Sequence, residues 1–135
     1  MTRFASLTLL VLLSAVVGCS TAPPGNAIQV TDVKSLSGKW LGFATGTAAG
    51  APNPMELVIN PDGSWTSRTG AQLQSGTVSI SDGKITFSRG SASGSSTTVF
   101  QSSTAVLQER AGKRVLVGQG RSDYGPYTYE FTEQK

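Results

Sequence analysis

Short strands joined by tight turns are the sequence feature that most limits the possible folds of this chain. From Ser37 onward, apolar and β-branched residues alternate with polar ones in short runs, a period that favours half-buried strands. Asn60-Pro61-Asp62-Gly63 and Ser81-Asp82-Gly83 separate two pairs of these runs, and a central Asp-Gly is a strong hairpin signal. No segment is long and amphipathic enough for a major helix. The domain is therefore predicted to be all-β.

The spacing of the strands predicts how they connect. Consecutive hairpins favour an up-and-down meander, and about eight strands avoid exposed edges best by closing into a small antiparallel β-barrel. A β-sandwich of two sheets is the alternative architecture. A barrel of this size has an interior that side chains can fill or that can hold one small ligand. The predicted strands cover residues 38–43, 55–59, 64–68, 77–80, 84–87, 97–101, 104–109, 114–118 and 127–132.

Large apolar side chains at strand positions are predicted to form the barrel core. Most of the aromatic residues share this position, and in a slightly open barrel some of them would line an apolar ligand pocket. The Gly- and Pro-rich loop 46–54 and the Gly-Ser loop 88–96 would then form its rim. The predicted core residues are Trp40, Ile59, Val78, Phe87, Leu107 and Val117, and the further aromatics are Trp65, Phe100, Tyr127, Tyr129 and Phe131.

The first eighteen residues have the layout of a cleaved secretory signal. Arg3 is followed by an uncharged, mostly apolar run from Phe4 to Val17, which is short for a membrane span. The segment ends next to Cys19, the only cysteine of the chain. A single cysteine cannot form an internal disulfide, so its place in an exported chain needs another explanation.

Val16-Val17-Gly18-Cys19 resembles the lipobox of bacterial lipoproteins, with Val16 where Leu is commoner. The resemblance implies cleavage before Cys19, a diacylglyceryl group on its sulfur and a further acyl chain such as palmitate on its amine. Two or more chains anchor a protein stably to a membrane. Ser20, rather than Asp, follows the cysteine, which resembles an outer-membrane sorting signal. An ordinary signal peptide followed by a free cysteine is the alternative.

These features predict three parts: a signal peptide over residues 1–18, the lipidated Cys19 with a tether over 19–35, and a barrel domain over 36–135. The Pro-rich stretch 20–25 has the composition of a linker. Val30, Val33 and Leu36 are three positions apart and predict one helical turn that closes one end of the barrel.

The composition excludes several kinds of active site. The chain has no histidine, and its one thiol is at the predicted lipid site, which rules out the usual Ser-His-Asp and Cys-His catalysis and zinc bound by His or Cys. Its eight carboxylates are predicted to be solvated surface groups, and neither Asp-Gly turn has the spaced acids of a calcium loop. The net charge is +3, with scattered basic residues, which does not indicate nucleic-acid binding. No catalytic residue, metal site or cofactor is predicted, and the protein is expected not to be an enzyme.

Gly38-Lys39-Trp40 resembles the Gly-x-Trp signature of lipocalins. The resemblance implies that Trp40 plugs the closed end of the barrel and that an Arg from a late strand packs over it, a role assigned to Arg121. Ser122-Asp123-Tyr124-Gly125-Pro126-Tyr127 resembles a second lipocalin motif, Thr-Asp-Tyr-x-x-Tyr, but lies closer to the chain end than in that family. A β-turn with Gly125-Pro126 at its apex explains the same residues.

The stretch from Lys34 to Trp40 is also similar to the start of bacterial metalloprotease inhibitors, which are small eight-stranded barrels. Those inhibitors insert an N-terminal segment into the protease, which here corresponds to residues 22–33, but they usually carry a disulfide. We therefore expect a non-enzymatic, lipid-anchored protein of the bacterial envelope, in the outer membrane, that binds a small apolar ligand or an envelope component. The alternative is an inhibitor of a secreted protease or a cell-wall hydrolase.

Overall fold

The computed structural model describes residues 25–46, 52–90, 102–122 and 125–135. The described residues form antiparallel strands and one short 3₁₀ helix, Val33–Leu36. The strands are β1 (Asn26–Ile28), β2 (Gly38–Gly46), β3 (Asn53–Ile59), β4 (Ser64–Thr69), β5 (Gln72–Ser81), β6 (Lys84–Arg89), β7 (Ser102–Arg110), β8 (Lys113–Ser122) and β9 (Gly125–Gln134).

Strands β2 to β9 form a closed up-and-down barrel. Each pairs with the next in the chain, and β9 pairs back with β2, with Trp40 opposite Glu133 and Gly46 opposite Tyr127. The all-β, eight-stranded antiparallel barrel predicted from the sequence is thus confirmed. Because each of these strands has a partner on both sides, none is left as a full-length open edge. The predicted strand over 97–101 lies outside the described residues.

One end of the barrel, called here the closed end, carries three tight turns and the 3₁₀ helix. The hairpin between β5 and β6 has Asp82 at φ 52° and Gly83 at φ 73°, the left-handed conformation that a two-residue turn of this kind requires. The turn predicted at Asn60–Gly63 joins β3 to β4, and a turn after Arg110 joins β7 to β8. The opposite end, where β2 and β8 finish and β7 begins, is called the loop end.

Trp40 and the 3₁₀ helix seal the closed end. Trp40 is fully buried, and its Nε1 donates a hydrogen bond to the carbonyl of Leu36 at 3.0 Å. Asp32 caps the helix by accepting from the backbone N–H of Lys34 at 2.9 Å. The helical turn predicted near Leu36 is therefore present and closes the barrel as expected.

The folded unit includes residues ahead of the predicted boundary at residue 36. β1 pairs with β7, with Asn26 opposite Glu109 and Ile28 opposite Leu107, and Val30 is buried against the core. This ninth strand extends the sheet past the end of β6. Residues 26–35, which the sequence assigned to the tether, thus belong to the packed domain.

The barrel interior is filled by large side chains. Trp65 and Phe87 meet edge to face at 6.1 Å between ring centroids, and Tyr129 packs beside Phe131 at 5.5 Å. Burial of this aromatic surface stabilises the fold because it removes apolar area from water. The predicted core residues are buried except Val117, and among the predicted aromatics Phe100 lies outside the described residues.

The prediction that Val117 points inward is wrong. Val117 is half-buried and faces outward, while its neighbour Leu116 is fully buried in the core. Val115-Leu116-Val117 is a continuous apolar run, which gives no alternation to distinguish the two faces of the strand. Only the barrel's register decides which of the three points in.

Two glycines allow strands and rings to approach closely. A Cβ on Gly42 would lie 1.8 Å from the backbone carbonyl oxygen of Glu130, and one on Gly118 would lie 2.2 Å from Cζ of Tyr129. Strand β9 can therefore pack against β2 and β8 as it does only because these two positions carry no side chain.

Across the described ranges, no helix is long and apolar enough to cross a bilayer.

Candidate functional site

Among the described residues, the aromatic core of the barrel is filled. The gap bounded by Trp65, Phe87 and Tyr129 has no space for even one water molecule. Protein interiors at this density exclude additional groups unless side chains move. The described core therefore does not offer the internal apolar pocket that the sequence left open.

The inner face becomes polar towards the loop end. Ser67, Gln74 and Ser103 are buried there, and Ser103 Oγ lies 3.1 Å from the hydroxyl of Tyr129. Burial raises the pKa of Tyr127 to about 12 and also raises that of Tyr129. Both phenols are thus neutral at physiological pH, and this layer can donate and accept hydrogen bonds without carrying a proton-transfer base.

The loop end of the barrel carries a surface pocket of about 760 Å³, lined by outward residues and by inward residues such as Ser103 and Tyr127. Most of its lining side chains stand at outward positions of β7, β8, β9 and β2, since they alternate with the buried residues of those strands. The lining residues are Thr45, Gly46, Ser102, Ser103, Thr104, Gln119, Gly120, Arg121, Pro126, Tyr127 and Thr128.

Cross-strand pairing brings the polar groups of this pocket together. Thr104 is opposite Gln119, Gln119 is opposite Thr128, and Thr128 is opposite Thr45, which forms one polar row across four strands. Arg121 stands one outward position beyond Gln119, opposite Ser102 and Pro126. Adjacent strands are about 4.8 Å apart, so the row presents hydroxyls and an amide within reach of one small molecule.

The electrostatics of the pocket favour a neutral or anionic group. No described lining residue is acidic, and Arg121 is exposed. Arg110 and Arg114 are engaged by Glu130 and Glu133, whereas Arg121 forms no ion pair within the described part of the chain. A guanidinium can bind an oxyanion with two parallel N–H donors.

A second outward row lies next to the polar one and is largely apolar. Val106 is opposite Val117, and Phe43 is opposite Pro54, with Glu130 between Val117 and Phe43. Phe43 is 47% exposed and Val106 is 44% exposed. Residues two apart on a strand are separated by about 6.6 Å, so the polar pocket and the apolar row are contiguous on one outer face.

The prediction that Arg121 packs over Trp40 is wrong, because Arg114 occupies that place. Cζ of Arg114 lies 5.6 Å from the centroid of the Trp40 ring. Nη1 of Arg114 donates to Glu133 Oε1 at 2.7 Å, and its Nη2 donates to the carbonyl of Ser35. Arg121 is seven positions further along β8, which at about 3.3 Å per residue places it some 23 Å away at the loop end.

The second lipocalin-like motif also sits differently from the prediction. Gly125 and Pro126 already belong to β9, where they pair with Ser122 and Arg121. The turn apex predicted at Gly125-Pro126 is therefore wrong. Asp123 and Tyr124 lie outside the described residues.

The described carboxylates have structural roles or lie at turns. Lys39 pairs with Glu56 at 2.8 Å, and Arg110 pairs with Glu130 at 2.8 Å. Asp62 accepts hydrogen bonds from the hydroxyl and the backbone N–H of Ser64, which lower the pKa of its carboxyl. Within the described ranges, no three His, Cys, Asp or Glu side chains are grouped so as to hold a metal ion.

Sequence reasoning missed the residues of the surface pocket. Thr45 and Gln119 lie just beyond the predicted strands 38–43 and 114–118, and Thr128 was predicted only as a polar residue alternating with the aromatics of the last strand. The one available signal was the pair Gly46 and Gly120, since glycines inside strands often mark a close approach of another group. Of the predicted site residues, Gly38 and Trp40 lie at the closed end, Arg121 lines the pocket, and Cys19 is outside the described residues.

Comparisons with known proteins give little beyond these observations. No protein-family model matches the chain, and no curated protein matches it. The NMR structure of a protein from Burkholderia xenovorans is similar at 14% sequence identity and a TM-score of 0.45, over 91% of this chain and 99% of that chain. At that level of similarity, nothing about function follows for this chain.

Proposed function

We propose that this chain is a lipid-anchored protein of the bacterial cell envelope whose barrel is a non-enzymatic binding module. The anchor rests on the resemblance of Val16-Val17-Gly18-Cys19 to a lipobox. The binding role rests on the surface pocket at the loop end. The single observation that carries it is a pocket of about 760 Å³ with convergent polar side chains on a barrel whose aromatic core is filled.

The filled core changes where the ligand is expected. An apolar molecule inside the barrel would have to displace residues such as Phe87 or Phe131, which are packed against other rings. The loop-end pocket needs no such displacement, because its lining residues are mostly exposed. The proposed site is therefore the loop-end pocket of β7, β8, β9 and β2 rather than the aromatic core.

The chemistry of the pocket supports binding without catalysis. Its lining hydroxyls have no neighbouring carboxylate or histidine among the described lining residues; they belong to Thr45, Ser102, Ser103, Thr104, Tyr127 and Thr128. A hydroxyl needs such a base to act as a nucleophile at neutral pH. Hydrogen bonds from hydroxyls, an amide and one guanidinium suit the recognition of a polar group instead.

The inhibitor alternative loses its structural support in the described residues. An inhibitor of the type considered needs an extended N-terminal arm, predicted over 22–33. Residues 26–28 instead form β1 on the barrel, and Val30 is buried in the core. An arm that is paired and buried in this way is not free to enter a protease cleft.

The anchor can be tested by mass spectrometry of the mature protein from its own envelope. We expect a thioether-linked diacylglyceryl group and an acylated amine on Cys19, and we expect Cys19→Ala to prevent both and to block processing. An unmodified thiol at Cys19 would contradict the proposal. Ser20→Asp is a matched variant for sorting, and it should move the processed protein from the outer to the inner membrane if Ser20 permits outer-membrane sorting.

The binding site can be tested by photo-crosslinking in intact cells. A benzophenone side chain placed at Gln119 should capture a ligand or partner of defined mass, because Gln119 lies in the middle of the polar row. The same group at Lys84, an exposed residue of the closed end, is the matched control and should capture nothing specific. Identical adducts at both positions, or none at Gln119, would argue against a binding site in this pocket.

A further inference from the structure

We propose that the surface pocket and the apolar row beside it form one groove for a single anionic lipid of the membrane to which the chain is tethered. In this arrangement the head group lies at Arg121 and the polar row, and an acyl chain lies along Val106, Val117 and Phe43. This inference rests on the proposed function, whose pocket it assigns to a ligand class.

The polar row of the pocket and the apolar row lie side by side on the same four strands. Along each of four neighbouring strands, a polar pocket residue lies two positions from a residue of the second row, as in Thr45 and Phe43, Gln119 and Val117, or Thr104 and Val106. A ligand that extends from the pocket by about 6.6 Å along the strands therefore reaches exposed apolar side chains such as Phe43 and Val106. A molecule with a polar head and an apolar tail matches both rows, whereas a sugar or a small acid matches only the first.

The charge of the groove is the second argument. Arg121 is the cation of the described pocket lining, and none of those lining residues is an acid. Glu130 lies within the apolar row, but its carboxylate accepts from Arg110 Nη1 at 2.8 Å, so its charge is compensated. A phosphate head group bound at Arg121 thus meets no uncompensated negative charge from the described residues around it.

The predicted tether reaches the described fold at Gly25, close to the apolar row. Gly25 lies against Gln108 and Arg110, which are outward residues of β7 next to the apolar row. Six peptide units separate Cys19 from Gly25, so a lipidated Cys19 is at most about 20 Å from this face. The tether thus keeps the closed-end side of this face, and with it the apolar row, near a bilayer, where lipids are at high local concentration.

Vesicle co-sedimentation tests the inference. The protein is the chain from residue 19 with Cys19→Ser, which keeps every residue of the described fold. The probes are phosphatidylcholine vesicles with and without phosphatidylglycerol. We expect binding only to the anionic vesicles, with Arg121→Gln and Phe43→Ser each weakening it by about tenfold, which corresponds to about 1.4 kcal/mol.

Two matched variants keep the test specific. Arg68→Gln removes an exposed arginine of β4, and Leu73→Ser removes an apolar side chain of β5 that is 66% exposed, and neither residue lines the groove. Both should bind anionic vesicles like the parent. Equal losses for Arg121→Gln and Arg68→Gln would show a general charge effect and overturn the inference. Unchanged melting temperatures would establish that the four variants are folded.

Soluble probes distinguish the contribution of the lipid head group to binding from that of the acyl tail. Short-chain phosphatidylglycerol below its micelle concentration should bind at least tenfold more tightly than glycerol phosphate, because only the former reaches the apolar row. Equal affinity would overturn the lipid assignment. If crosslinking at Gln119 succeeds in cells while anionic vesicles do not bind, the proposed function stands and this inference fails.

Discussion

The guanidinium of Arg114 lies over the indole of Trp40, with Cζ 5.6 Å from the ring centroid. The same side chain donates to Glu133 at 2.7 Å and to the carbonyl of Ser35, while Trp40 donates to the carbonyl of Leu36. Strand β8, the end of β9 and the 3₁₀ helix are thus joined at one point. This network holds the closed end of the barrel.

Replacing Arg114 with alanine should destabilise the fold by about 1–3 kcal/mol. The change removes a cation–π contact, which contributes roughly 0.5–2 kcal/mol, and leaves the partly buried Glu133 without its partner. The free energy of unfolding in guanidinium chloride at neutral pH measures the effect. Arg121→Ala on the same strand is the control and should change stability by less than about 0.5 kcal/mol. The reverse order would contradict the placement of these two arginines.

Gly42→Ala should prevent folding or cost more than about 4 kcal/mol. The new Cβ would lie 1.8 Å from the carbonyl oxygen of Glu130, so the paired strands β2 and β9 would have to separate. Gly46→Ala is the matched control on the same strand, because its Cβ would lie at an ordinary 3.6 Å from Tyr127 Cβ. Circular dichroism and thermal melting of the two variants give the comparison. A well-folded Gly42→Ala protein would show that the described β2–β9 contact is too close.

Phe87→Ala should open an internal cavity that the parent protein lacks. Removing a buried phenylalanine typically costs about 3–5 kcal/mol, and a dry apolar cavity can bind a small aromatic molecule. We expect benzene or indole to raise the melting temperature of the variant and not that of the parent. Leu73→Ala, at an exposed site, serves as the control and should gain no such binding. Stabilisation of the parent by the same molecules would mean that its core is not filled.

The buried tyrosines should make the fold sensitive to high pH. The pKa of Tyr127 is raised to about 12 by burial, above the value near 10 of an unfolded chain. The unfolded chain therefore loses this proton first. The contribution to stability is complete below about pH 10 and declines as the pH rises through about 12.

Denaturation curves between about pH 9 and 11.5 measure this effect. The free energy of unfolding should fall with increasing pH, by at most about 1.4 kcal/mol per pH unit for each proton involved. Tyr127→Phe should make the slope shallower, while Tyr129, whose pKa is also raised, continues to contribute. An unchanged slope in Tyr127→Phe would exclude this residue as a source of the dependence.

Much of the fold follows from local patterns in the sequence. Alternation in segments such as Met55–Ile59 identifies strands, because successive side chains must point to opposite faces. The Asp82-Gly83 turn fixes a hairpin, since both residues adopt positive φ. Gly38-Lys39-Trp40 also marked the closed end, where Trp40 is buried. These signals depend only on residues that are close together in the chain, and they can therefore be recognised from the sequence alone.

The sequence by itself determined an all-β chain of successive hairpins with a buried Trp40, and it gave the hypothesis of an anchor at Cys19. Only the tertiary structure decided that Arg114 rather than Arg121 covers Trp40, that Leu116 rather than Val117 fills the core, and that polar residues of four strands share one pocket. The physical reason is register. Barrel closure pairs residues far apart in the chain, and a shift by one residue would exchange the two faces of every strand.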